Sequence, residues 1–224
     1  MTIMDRSSLI ADCKKTGTHT AWGTYPALLL FLFFIGCAET GPIHLSVSYQ
    51  PPAEQAGTAS RVSVGLSPLR DVREKPIAVL GVRKISDSVR KDLVTQGTVA
   101  GLVTDAFRSA LKARGIIVKD ASSWDLTAEH LENGGTGLVI GGEIKELWLE
   151  SATLLATNLK ASVRLRIVVA DLAAKKIIKT IEVNSAVEQD VLYSSAKLES
   201  VLSEALSGAI NQVFKDEDLK KRLQ

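Results

Sequence analysis

The 224-residue sequence predicts an α+β fold: a mostly antiparallel sheet with two main amphipathic helices packed on one face. Three observations carry this expectation. Val99 to Leu111 and Leu198 to Phe214 repeat apolar side chains at helical spacing. Between them, residues 138–187 divide into three strand-length segments, the last two joined by the tight turn Ala173-Ala174-Lys175. A helix with one apolar stripe and a sheet with one apolar face each need a cover, and each is the simplest cover for the other.

The elements follow in chain order. Arg61 to Leu66 alternates, placing Val62, Val64 and Leu66 on one face of a strand. Ser67 to Lys75 is polar and turn-rich. Ile77 to Val82 is a continuous apolar run, as expected of a strand covered on both sides. Arg83 to Gln96 is charged and reads as a loop with a short helical turn. Thr98 is placed to cap a helix that ends at Lys112, Arg114 and Gly115, and Ile116 to Val118 makes a short strand after it. Asp125 then opens a second, shorter helix through Leu131, closed by Asn133-Gly134-Gly135.

Leu138 to Leu149, Asn158 to Ala170 and Lys176 to Val187 are the three strands of a meander. Gly141-Gly142 marks a bulge or a close approach in the first. In the second, Val163, Leu165 and Ile167 face inward while Arg164 and Arg166 face water. In the third, Ile181, Val183 and Val187 face inward. A helix from about Ser195 closes the fold, and Lys215 to Gln224 forms a charged tail.

The N-terminal stretch has a different character. Ala27 to Ile35 is an apolar run ending in Gly36-Cys37, after a segment carrying Lys14 and Lys15. Nine apolar residues are too few to span a bilayer, which needs about 20, but they suit the hydrophobic region of a signal peptide. Phe34-Ile35-Gly36-Cys37 resembles the lipobox of bacterial lipoproteins. The resemblance implies cleavage before Cys37 and acylation of that residue with fatty chains such as palmitate. Residues 1–36 are then a lipoprotein signal peptide, 37–60 an acylated tether rich in proline and glycine, and 61–224 a single domain. Ala38, where an aspartate would resemble an inner-membrane retention signal, implies the outer membrane, facing the periplasm, with the inner membrane as the alternative.

Composition narrows the function. Cleavage leaves 188 of the 224 residues and removes three basic and two acidic groups, for a net charge of +1. That balance argues against nucleic acid and against binding anionic lipid by charge. Cys13 lies in the leader and Cys37 is the acyl site, so no cysteine remains for a disulfide, metal site or nucleophile. His44 and His130 are lone histidines without a second at ligand spacing. No metal, cofactor or catalytic residue is expected.

Four features were candidates for binding. Asp71 and Arg73 follow a strand, but a pair of exposed turn charges is the simpler reading. Gly134-Gly135-Thr136-Gly137 lacks the Lys-Ser/Thr and the helix of a phosphate loop. Arg164 and Arg166 are expected to pair across strands with carboxylates such as Glu143 or Glu182. Trp148 is expected in the core.

The lipobox, the Val62-Ser63-Val64 strand leading to Asp71-Val72-Arg73, Leu111-Lys112-Ala113-Arg114-Gly115-Ile116, the paired long strands and the closing helix together resemble the YajG-like bacterial lipoproteins. Members of that family are envelope lipoproteins without an assigned reaction, so the resemblance implies the fold and the location and adds no catalytic residue. The role expected of the chain is a non-enzymatic accessory or structural component of the cell envelope that docks an envelope protein. The alternative is a binding module for a small molecule or lipid, held between helices and sheet.

Overall fold

The computed structural model of the chain describes residues 41–52, 62–132, 135–153 and 157–223. The signal peptide, Cys37 and the first residues of the tether lie outside them, as do Arg61 and Asn133-Gly134. Nine strands and three helices follow one another: β1 (Ile43–His44), β2 (Ser63–Leu66), β3 (Arg70–Asp71), β4 (Val79–Lys84), β5 (Arg90–Val94), α1 (Val99–Ala113), β6 (Ile117–Asp120), β7 (Leu138–Thr153), β8 (Thr157–Asp171), β9 (Lys176–Val191), α2 (Ser195–Val213) and α3 (Glu217–Arg222).

The architecture is α+β, and the sheet is mixed rather than mostly antiparallel. The long strand β7 organises it. One edge of β7 pairs antiparallel with β8, and β8 with β9, in the expected meander. The other edge takes three short strands end to end, all parallel to it: β2 at Val64–Leu66, β3 at Arg70–Asp71 and β4 at Gly81–Lys84. β6 extends the sheet parallel to β2, β5 pairs antiparallel with β4, and β1 lies parallel to β5. Parallel pairing of such short pieces leaves no periodic signature that would separate it from antiparallel pairing.

The meander is regular because its faces are chemically distinct. Leu159, Val163, Leu165 and Ile167 are fully buried, while Arg164 points to water. A bulge at Lys145 sits between Ile144 and Glu146 in the β7–β8 register, so that Ile144 and then Leu147 and Leu149 all reach the same core. The bulge therefore falls three residues after Gly142. Of the two readings of Gly141-Gly142, a bulge or a close approach, the close approach is the one the structure shows. A methyl on Gly142 would lie 2.5 Å from the Arg166 carbonyl oxygen, and one on Gly141 would meet Leu126 and Trp124.

The two long helices share one core with this sheet, by different routes. α2 lies across β8 and β9, burying Leu198, Val201, Leu202, Ala205, Leu206, Ala209, Ile210 and Val213. α1 packs beside α2 and over β3 and β6, with Phe107 against Phe214 at 5.5 Å between ring centroids. Caps set their ends as the residue types dictate. Thr98 accepts from the Gly101 N–H and Ser194 from the Lys197 N–H, and Gly115 takes φ 76° after α1. The charged tail is the short helix α3, capped by Asp216 and tied to the core by Leu219.

Three further expectations are corrected. Arg83–Gln96 is not a loop: it contributes β5, a wet strand between β4 and β1 in which only Leu93 is buried. Residues 125–131 form no helix. Trp124, Leu126 and Leu131 instead build a small second core on the sheet's other face, against Val139, Val168, Ala170 and Leu172. Leu126 adopts φ 69°, which a helix does not permit. Lastly, residues 43–50 of the expected tether are part of the domain, with Leu45 and Tyr49 buried. The compact unit begins at Thr40.

Candidate functional site

Residues 45–50 run as an extended strap along α2. The N–H groups of Ser46, Ser48 and Gln50 donate to Glu199 Oε1, Ser203 Oγ and Ser207 Oγ at 2.8, 3.2 and 2.8 Å. The match is geometric. Two residues of extended chain advance about 6.6 Å, and four residues of helix about 6 Å. The strap's far end is clamped: Tyr49 Oη donates to Asn211 Oδ1, and Arg114 donates to both and stacks on Phe214.

Because the N–H groups of 46, 48 and 50 turn toward α2, those of Val47 and Tyr49 fall on the opposite edge. Along that edge lies a groove of about 400 Å³, between the strap, the Thr95–Thr98 connection and α1. Leu102 and Ala106 give it an apolar floor, and Thr95, Gln96, Asp105 and Ser109 give it polar walls. A smaller hollow of about 170 Å³ lies beside Trp124 and His130.

Asp71 and Arg73 are not exposed turn charges. The Arg73 side chain is 3% exposed and that of Asp71 12%. Arg73 donates from Nε and one Nη to the two Asp71 oxygens at 2.8 and 2.9 Å, and from its other Nη to the carbonyls of Val79 and Leu147. The pair pins the β3–β4 connection onto β7. Burial pushes the Asp71 carboxyl up, but the hydrogen bonds from Arg73 and its positive charge together hold it below the ordinary value. With four of the five guanidinium N–H groups directed at Asp71 and backbone carbonyls and the side chain 3% exposed, the pair offers little to a ligand.

The other candidates also resolve into structure. Arg166 pairs with Glu143 at 3.2 Å and Arg164 with Glu146 at 3.1 Å, while Glu182 pairs with Lys145. Gly135 and Gly137 belong to a turn into β7, with Thr136 donating to Leu138. Trp148 is half-buried on the wet face beneath Lys75, whose Nζ is 4.8 Å from the ring centroid, and not in the core. His44 is exposed in β1.

His130 is held by Asp125, Nδ1 to Oδ2 at 2.5 Å, and Asp125 also accepts from the Thr127 N–H and hydroxyl. The hydrogen bond to Asp125 and its charge raise the imidazole's pKa. The same bond, with those from Thr127, lowers Asp125 to about 2 against the opposing effect of desolvation. Among the described residues no three histidine, cysteine or carboxylate side chains come together to hold a metal ion. No described helix is long and apolar enough to cross a membrane.

No protein-family model matches the chain. No curated protein matches it either. Among solved structures, it is similar to a Xanthomonas campestris protein of the DUF330 family, at 8% identity and TM-score 0.48, over 76% of this chain and 90% of that one. It is also similar to the lipoprotein GNA1162 of Neisseria meningitidis, at 14% identity and TM-score 0.36, over 69% of this chain and 99% of the other. A third is the C-terminal domain of LpoB from Salmonella enterica, at 10% identity and TM-score 0.29, over 59% and 87% of the two chains. Likenesses this distant assign neither a family nor a role.

Proposed function

We propose that the chain is a bacterial envelope lipoprotein anchored through acyl chains on Cys37, and that its domain is a non-enzymatic accessory or structural component. The observation that carries this is the apolar run Ala27–Ile35 ending in Gly36-Cys37, a few residues ahead of a domain that is packed from Ile43 and Leu45 onward. The domain's charged and polar clusters are consumed in holding it together. Asp71 and Arg73 are spent on each other and on backbone carbonyls, and Ser203 and Ser207 on the strap. YajG-like membership and the outer membrane facing the periplasm are the finer parts of this reading, as is an envelope protein partner.

Cys37→Ser tests it in cells. The expected result is an uncleaved precursor that no longer incorporates labelled palmitate. A mutant processed and membrane-bound like the parent would overturn the reading.

The groove beside the strap supports a second reading, a binding module. Its volume falls within the roughly 300–1,000 Å³ of small-molecule sites. Native mass spectrometry of the purified protein would show a retained small molecule or lipid under this reading, and the mass of the bare acylated chain under the first.

A further inference from the structure

The register of the sheet shows where the chain joins the domain. β1 is parallel to β5, with Ile43 opposite Leu93, so Gly41 lies level with the start of β5 and next to the β4–β5 turn. The strap gives the same answer independently. Ser46 meets Glu199 near the start of α2 and Gln50 meets Ser207 further along, so strap and helix run in the same direction. Gly41 therefore lies at the end of the molecule where α2 begins.

Four of the seven large apolar side chains exposed among the described residues lie at that end. Ile85 and Val89 flank the β4–β5 turn at 36% and 45% exposure, and Leu192 in the β9–α2 connection is 89% exposed. The sheet brings them together: Lys84 is opposite Ala152, Ala152 opposite Asn158, and Asn158 opposite Asp190. Four neighbouring strands thus end level with one another. Tyr193 bridges the row by lying under the Arg83 guanidinium, 3.3 Å from the ring centroid. The opposite pole carries the β8–β9 turn of Ala173, Ala174 and Lys175, and Ile117 at the start of β6 is the large apolar side chain exposed there, at 52%.

We infer that this pole is a second membrane contact, lying on the bilayer interface beside the acylated Cys37; the inference rests on the lipoprotein reading. Gly41 is four residues on from Cys37, an extended reach of at most about 14 Å. A spacer that short cannot hold the domain clear of the surface, because the headgroup layer alone takes up about 5–8 Å of it. The side of the domain nearest the lipid is then the pole where Gly41 lies. Leucine, isoleucine and valine beside tyrosine and arginine suit a boundary between hydrocarbon and water. Acid and base nearly balance here, with Arg83, Lys84, Arg90, Lys91, Lys160 and Lys197 against Asp87, Asp92, Glu150, Glu188 and Asp190, so the contact is apolar and only weakly sensitive to salt.

The test uses the full chain, processed in cells and placed in vesicles of phosphatidylethanolamine and phosphatidylglycerol. Leu192→Cys, Val89→Cys and Ala174→Cys each carry an environment-sensitive fluorophore, at exposed positions where the fold tolerates them. The expected result is a blue shift and a several-fold loss of quenching by aqueous iodide at residues 192 and 89, with no change at 174. Protein that floats with the vesicles but leaves all three labels equally quenched overturns the membrane contact alone. Protein that does not float, with Cys37 unacylated by mass, overturns the lipoprotein reading beneath it. Protection at residue 192 in cells but not on vesicles would assign the pole to a protein partner and likewise overturn the contact.

Discussion

The backbone N–H of Ser48 donates to the hydroxyl of Ser203, 155 residues later in the chain, at 3.2 Å. With Ser46–Glu199 and Gln50–Ser207 it forms a ladder between an extended strap and a helix face. Ser203 and Ser207 are buried serines in a helix interior, where the strap supplies the donor that justifies each hydroxyl. Ser203→Ala and Ser207→Ala each leave a strap N–H without its acceptor, at a cost of about 1 kcal/mol. Urea denaturation should show the loss. Hydrogen exchange should quicken at residues 46–50 while β7 and β8 keep their protection; unchanged exchange at the strap would contradict the ladder.

Arg73 and Asp71 predict a larger effect. Arg73→Ala leaves the Asp71 carboxylate with only the backbone N–H of residue 73 and strips the guanidinium from two backbone carbonyls, and should cost about 3 kcal/mol. Arg73→Lys should recover only part of this, because an ammonium cannot match the two-pronged geometry. The pH dependence has a definite sign. Asp71 has a depressed folded-state value, so its contribution is complete above the unfolded value of about 3.8 and is lost as pH falls through the folded value. The stability gap between the parent and Asp71→Asn should shrink below about pH 4. A gap that stays constant to pH 2 would show the pair is not an ion pair.

His130 and Asp125 set a pH window for the loop over the second core. The imidazole is raised above 6.5, so its stabilising pair is complete below that value and is lost as pH rises through the folded one. Asp125, lowered to about 2, contributes above its unfolded 3.8 and fails as pH falls toward 2. The pair is therefore at full strength between about pH 4 and 6.5. An NMR titration of His130 should give a value above the ordinary one, and Asp125→Asn should return it toward 6.5. Trp124, which donates to the Thr127 carbonyl in the same loop, offers a fluorescence readout. Identical titrations in both proteins would rule the pair out.

What could be read from the sequence was whatever a short window encodes. Thr98 and Ser194 cap α1 and α2, whose apolar stripes recur at fixed spacing within one helix. Alternation along β8 separates Leu165 from Arg166 without reference to any other segment. Such signals are local because a helix or strand presents its own periodicity. β5 escaped the same reading because only Leu93 of its five residues is buried, and Arg90, Lys91 and Asp92 hide the pattern. The 125–131 segment misled because Asp125 does cap a turn, but one closed by Thr127 and His130 in place of a helix.

The tertiary structure decided everything that depends on a distant partner. Whether Arg73 is a turn charge or a buried pin depends on the carbonyls of Val79 and Leu147, and Leu147 is 74 residues away. Whether residues 43–50 are spacer or domain depends on side chains of α2 more than 150 residues on. The parallel placement of β2, β3 and β4 along one edge of β7 has no local signature either. A lone segment carries its own propensity and period, but its burial and hydrogen-bond partners exist only once the remote segment has packed against it. The sequence by itself thus determined the helices, the meander and the proposed address at Cys37. Packing alone decided the mixed sheet, the strap and the apolar pole at the end where Gly41 lies.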